Sequence, residues 1–185
     1  MPVKLNRSDR EVAGVASVVF SVLAVVLAFT AVVIAVQSES RSDTANQGVA
    51  KLARSGAIGN TAAVTLQEFS IAVHPGIVQS GKVTLQVKNA GSIIHELVIV
   101  RAAGPSALPL VKKAGERSVG AIDEEAILES DKMGESGDVA AGASVTKTFN
   151  LKPGTYVVFC NIDTKNGSSV LNHFAHGMIA SLVVV

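Results

Sequence analysis

The residues most able to do chemistry together lie near the end of the chain. Cys160, the only cysteine, ends the run Gly154-Thr-Tyr-Val-Val-Phe-Cys160-Asn. A polar stretch follows, and His173-Phe-Ala-His176-Gly-Met178 opens a last apolar segment. A soft thiolate, an imidazole and a thioether delivered by one loop are the donors a small copper site needs. Two histidines and the cysteine make a trigonal set, with the methionine as a weaker donor on its axis. The second histidine has a candidate upstream, in Asn89-Ala-Gly91-Ser-Ile-Ile-His95-Glu-Leu.

Thiolate suits Cu(I), imidazole suits either oxidation state, and a long thioether bond holds a geometry between the two preferences. Each residue also has a plainer reading. Cys160 can pack as a small hydrophobe, His95 can be a hydrogen-bonded core histidine, and Met178 can be ordinary core. His176 competes with His173, because it lies two residues before Met178 and shares its face if the segment is extended. The spacing His-Phe-x2-Gly-Met favours His173. His74, beside Pro75, reads as a turn residue.

Rigid elements must hold these donors. Val64 to Val73 is rich in β-branched and aromatic residues and stops at His74-Pro75-Gly76. Lys82 to Asn89 alternates polar and apolar, as a half-buried strand does. Ile93 to Arg101 is extended and apolar, Val145 to Leu151 alternates again, Thr155 to Cys160 is a short buried strand, and Ile179 to Val185 closes the chain. Short strands joined by Gly/Pro turns predict an all-β domain over residues 61–185, an antiparallel Greek-key β-sandwich. Residues 102–143 break that rhythm. Seven acids against Lys132 lie between Asp123 and Asp138, with a short helix expected around Ala126-Ile127-Leu128. That 123–138 stretch reads as a solvated closing segment, with an acidic docking surface as the alternative.

Ahead of the domain, residues 1–11 form a short charged tail expected in the cytoplasm. Residues 12–36 carry no charged side chain. As a helix they reach ~37 Å, enough to cross a hydrocarbon core of ~30 Å. The expectation is a single-pass anchor in the cell membrane; a cleaved signal peptide is the alternative. Lys4, Arg7 and Arg10 outnumber the basic residue just after the span, Arg41. The C-terminal domain is therefore expected outside the cytoplasm. Residues 37–60, rich in Ser, Ala, Gly, Asn and Asp, read as a flexible tether.

The composition narrows the functions. A net charge of +1 and 4% aromatic residues leave no electrostatic footprint or stacking platform for nucleic acid. One cysteine excludes an internal disulfide and a Cys-x-x-Cys motif. No nucleophilic triad or phosphate-cradling glycine loop is present, so catalysis in its own right is not expected.

The blocks Asn89-x-Gly91-x3-His95-Glu-Leu, Pro153-Gly154-Thr-Tyr156-x2-Phe-Cys160-Asn and His173-Phe-x2-Gly177-Met178 resemble the cupredoxin (plastocyanin/azurin-like blue copper) family. The likeness is greatest to its membrane-anchored, sulfocyanin-like single-domain members. The resemblance implies one type-1 copper ion cycling between Cu(I) and Cu(II), held by His95, Cys160, His173 and Met178. It implies single-electron transfer between extracytoplasmic redox proteins, with the imidazole edge of His173 as the exit. The family usually has a short Cys-to-His loop; here twelve residues, Asn161 to Asn172, intervene, with Asn166-Gly167 as the available turn. Alternatives are a copper chaperone or buffer, against which the three methionines count, and a metal-free cupredoxin-like interaction domain.

Overall fold

The structure, a computed structural model, describes residues 47–49, 51, 56, 58–113, 118–167 and 169–185. The expected tail (1–11) and membrane span (12–36) lie outside the described residues, as does most of the tether (37–60). Among the described residues no helix is long and apolar enough to cross a membrane. Chain contacts divide the protein into Met1–Val49 and Ala50–Val185, and all the strands below belong to the second unit.

The strands are β1 (Thr61–Gln67), β2 (Ser70–His74), β3 (Ile77–Val78), β4 (Gly81–Asn89), β5 (Val98–Arg101), β6 (Lys132–Glu135), β7 (Ser144–Leu151), β8 (Gly154–Phe159), β9 (Asp163–Asn166), β10 (Ser169–Asn172) and β11 (Ile179–Val184). One sheet runs β2-β1-β4-β7 and the other β3-β11-β8-β5-β6, with β9 and β10 as a separate hairpin. The expectation of an antiparallel sandwich is corrected at two pairs: β1 lies parallel to β4, and β11 parallel to β3.

Alternation decides which faces meet. Along β4, Val83, Leu85 and Val87 are buried while Lys82, Gln86 and Lys88 are exposed. They pack with Val64 and Leu66 of β1, Ile99 of β5, Tyr156 and Val158 of β8, and Leu182 and Val184 of β11, so one core is shared by both sheets. Two-residue periodicity is enough to build this layer, because a strand's side chains point alternately to its two faces.

Strand β8 breaks the alternation: Tyr156, Val157, Val158 and Phe159 are all buried. Its outer face is covered, since Val157 and Phe159 pack with Val98, Val100, Leu108, Ile122 and Ile127. The irregular segment after β5 is thus a lid over the second sheet. Burying an apolar side chain of this size is worth ~1.5–3 kcal/mol, which explains why a non-repetitive stretch stays ordered there.

Two local expectations are corrected. The helix expected around residues 126–128 is replaced by single 3-10 turns at Glu124–Ala126 and Glu129–Asp131, followed by the edge strand β6 against β5. Too few apolar positions recur at helical spacing there to bury a helix face. The single strand expected from Val64 to Val73 is a hairpin, β1 and β2, turning at Glu68 and Phe69.

Candidate metal centre

Four backbone segments converge at one end of the sandwich. Asn89 takes the next inward position of β4 after Val87 but carries a polar side chain. Its amide nitrogen donates to the carbonyls of Ile93 and Val139 (2.7 and 2.8 Å), and its oxygen accepts from the Gly91 amide (2.9 Å). These bonds shape the loop that presents His95. His95 itself exchanges backbone bonds with Val139, His95 N–H to Val139 O at 3.2 Å and Val139 N–H to His95 O at 2.7 Å. Cys160 directly follows β8, and its amide donates to the Met178 carbonyl at 3.2 Å. His173 follows β10, and its carbonyl accepts from the Met178 amide at 3.1 Å. Gly177, at φ 98°, makes the left-handed turn that ends the 3-10 turn Phe174–His176 and sends the chain into Met178 and β11. A side chain there would pay the usual left-handed strain.

The structure therefore brings His95, Cys160 and His173 together, fully buried, with one ligand atom each within 4.8 Å of the others. The Nδ1 atoms of His95 and His173 are 3.1 Å apart, Cys160 Sγ lies 3.2 Å from His173 Nδ1, and it lies 3.9 Å from His95 Nδ1. A triangle with those sides has a circumradius of about 2.0 Å, against ~2.0–2.1 Å for a metal–imidazole bond and ~2.3 Å for a metal–thiolate bond, with zinc as the yardstick. One ion would be within bonding reach of all three donors. Two imidazoles and a thiolate in a trigonal array are the donor set that suits type-1 copper. Met178 is fully buried and tied by its backbone to both Cys160 and His173.

His176 is not part of the cluster. It is exposed, and its Nδ1 pairs with the Asn172 carbonyl at 2.8 Å. His74 ends β2 and is likewise outside the cluster.

The electrostatics suit neutral imidazoles and a latent thiolate. Burial pushes the His173 imidazole down to about 4, helped by the neighbouring His95. Burial lowers His95 too, with the Glu68 carboxylate pulling the other way. Both rings therefore present free lone pairs at neutral pH, which metal binding requires. Burial pushes the Cys160 thiol up to about 11, opposed by the amides of Glu96 and Ile162. Coordination deprotonates such a thiol outright. The Glu96 amide donates to Sγ at 3.4 Å, an interaction that stabilises negative charge on the sulfur and so tunes a metal bound to it.

Around the donors the packing is polar and specific. Asn161 exchanges two bonds with the backbone of Ile122, donating to its carbonyl and accepting from its amide at 2.9 Å each, and the Asn161 amide donates to Glu96 Oε1 at 3.0 Å. Asn89 thus braces the loop of His95, and Asn161 ties the residue after Cys160 to Ile122.

The long Cys-to-His stretch is the β9–β10 hairpin, turning at Asn166-Gly167 with Gly167 at φ 61°. Thr164 on β9 places Oγ1 2.8 Å from His173 Nε2. The Asn172 side chain donates to Asp163 at 2.9 Å, and Asp163 accepts from the amide and the hydroxyl of Ser118 at 3.0 Å each, joining the hairpin to the lid segment. The imidazole edge of His173, expected as the exit, is fully buried, with Thr164 of the hairpin against its Nε2. Phe69 packs against His173 and His176, with ring centroids 5.1 and 5.5 Å away.

Sequence reasoning missed Thr164, Phe69 and Glu68. Thr164 sat in an undifferentiated polar loop, and the other two sat in what read as a continuous strand. The charged Glu68 beside an aromatic was the available sign of a turn.

No family model matches the chain, and no curated protein matches it. Solved structures do. Dithionite-reduced auracyanin from Roseiflexus castenholzii is 22% identical, covering 69% of this chain and 98% of its own, with a TM-score of 0.47. Auracyanin A, a "blue" copper protein from Chloroflexus aurantiacus, is 22% identical over 68% of this chain and 98% of its own, at 0.41. Rusticyanin from Thiobacillus ferrooxidans is 18% identical over 69% of this chain and 79% of its own, at 0.39. The metal reading of this chain stands on its own donor triangle and on the motifs that resemble the cupredoxins.

Proposed function

We propose that this protein is a membrane-tethered type-1 copper protein that carries single electrons between extracytoplasmic redox partners. The observation that carries this reading is the buried triangle of His95 Nδ1, His173 Nδ1 and Cys160 Sγ, sized for one trigonal ion. His95, Cys160 and His173 would hold the ion, with the buried Met178 as a further, weaker donor.

Copper held there supplies a one-electron couple between Cu(I) and Cu(II). The chain's contribution is to fix the donors, exclude water and bias the charge on sulfur. Rigidity comes from the framework: Cys160 and Met178 adjoin paired strands, and the Asn89 side chain and the Val139 bridge lock the His95 loop. A donor set that hardly moves lowers the reorganisation needed at each transfer, as preorganised sites do elsewhere. Full burial of all three donors favours this reading over a copper chaperone, whose ligands must be reached by a partner's. The buried donor set is read as that of an electron carrier rather than of a catalyst in its own right.

The uncharged run at 12–36 supports the anchor, and Lys4, Arg7 and Arg10 ahead of it support an extracytoplasmic domain. Protease added to intact cells would then remove the C-terminal domain and leave the tail, whereas full protection would reverse the orientation.

The copper test uses the full-length protein in detergent micelles titrated with Cu(II), followed by visible absorption and electron paramagnetic resonance. The expected result is an intense thiolate-to-copper band saturating at one equivalent, bleached by ascorbate and restored by oxidation, and absent from Cys160→Ser. Tight binding without that band, or without redox cycling, would favour the buffer reading. No binding would leave the metal-free interaction domain.

A further inference from the structure

The one buried polar side-chain atom without a hydrogen-bond partner among the described residues is His95 Nε2. Its ring is fully buried, and Nδ1 faces the other donors. With Nδ1 committed to a metal, Nε2 must carry the proton, and a buried N–H calls for an acceptor. Glu68 Oε1 stands 3.5 Å from that nitrogen. This is a few tenths of an ångström beyond a hydrogen bond and within the range of an ion pair.

The carboxylate is held in place on its other side. Glu68 Oε1 accepts from the amides of Ser92 (2.6 Å) and Ile93 (2.9 Å), and from the Ser92 hydroxyl (3.2 Å). The same loop that carries His95 therefore grips the carboxylate from the β1–β2 turn. Gly91 makes room for it: a Cβ at that position would lie 2.6 Å from both carboxylate oxygens. Any side chain at position 91 would displace Glu68 from the imidazole, which gives the glycine of the Asn-x-Gly block a physical role.

We propose that Glu68 is a positioning residue of the metal centre: its anchored carboxylate takes the His95 Nε2 proton as acceptor, aims Nδ1 at the ion and places a fixed negative charge behind that ligand. The inference rests on the copper reading of the site. A carboxylate behind a ligating imidazole fixes the tautomer, orients the ring and raises its basicity. Its charge favours the more positive oxidation state of the ion, and so lowers the reduction potential.

The test compares full-length protein with Glu68→Gln, Glu68→Asp and the surface control Glu125→Gln, each titrated with Cu(II) and then brought through a redox titration. Glu68→Gln keeps the length and the acceptor oxygen but removes the charge. It is expected to raise the midpoint potential and to weaken Cu(II) binding by about 10–100-fold. Glu68→Asp is expected to move both quantities back towards the parent, and Glu125→Gln to leave both unchanged. Parent-like potential and affinity in Glu68→Gln would overturn the role of Glu68 while leaving the copper site intact. An equal shift in Glu125→Gln would overturn it too, by reducing the effect to general surface charge. Absence of Cu(II) binding in the parent would overturn the copper reading, and this inference with it.

Discussion

His95 and His173 are both shut off from solvent, and both turn Nδ1 into the same triangle, yet their far sides are built from different material. Behind His95 stands a carboxylate, Glu68, gripped by backbone amides of the β4–β5 loop. Behind His173 stands a neutral hydroxyl, Thr164, carried on the β9–β10 hairpin. One ligand is backed by the sandwich framework, the other by an insert between two ligands. Two chemically equal imidazoles can thus be given different electrostatic backing: a charge that biases the ion on one side, and a hydrogen bond that only orients the ring on the other.

The contrast is broken most severely by deleting a ring. His173→Ala should abolish the thiolate-to-copper band, because one corner of the triangle is gone, while His176→Ala should retain it, since that ring is exposed and bonded to Asn172. Visible spectra of the two variants side by side give the answer; the reverse result would move the site to His176.

Acid should destabilise the metal-free protein. Both rings are held below the ordinary histidine range by burial, with Glu68 opposing the shift at His95 and Glu68 and Asp163 opposing it at His173. The same shifts set the stability profile. With His173 lowered from 6.5 to about 4, the unfolded chain binds the proton first, so stability falls as pH drops from 6.5 towards 4. With Cys160 raised from 9.0 to about 11, the unfolded chain loses its proton first, so stability falls again as pH rises from 9 towards 11. Thermal midpoints should be highest between these windows. A midpoint that does not fall below pH 6 would contradict the buried, neutral state of His173.

Thr164→Val should have the mildest effect. It preserves the shape of the side chain and leaves His173 Nε2 without its partner, at a cost of about 1–3 kcal/mol in stability. Cu(II) affinity should fall about tenfold, the low end for an outer-shell partner. Because no charge is removed, the midpoint potential should move less than in Glu68→Gln. An equal or larger shift would erase the distinction between the two sides.

Much of this centre is legible in local pattern. The strict alternation of Lys82 to Asn89 marks β4, and the blocks around His95, Cys160 and His173 mark the clustered donors in order. These signals are short-range: periodicity sets which face is buried, and turn glycines set where a strand must stop. Asn89 shows the limit of such reading. Its place at the inward end of β4 follows from alternation, but its bond to Val139 depends on where a loop fifty positions away returns.

The amino-acid sequence on its own therefore determined the strand-forming segments, the donor types and the pairing of one upstream histidine with a C-terminal Cys–His–Met block, since these follow from side-chain chemistry and two-residue periodicity. Packing alone decided the rest. It buried His173, which the His-Phe-x2-Gly-Met spacing already favoured, in the cluster and left His176, across the 3-10 turn Phe174–His176, in solvent. It folded the Asn161–Asn172 stretch into a hairpin that seals the His173 edge. It also carried Glu68 across to His95, a contact between residues 27 positions apart. Contacts of that kind leave no periodic trace, because they are fixed by how the two sheets and their loops close on each other.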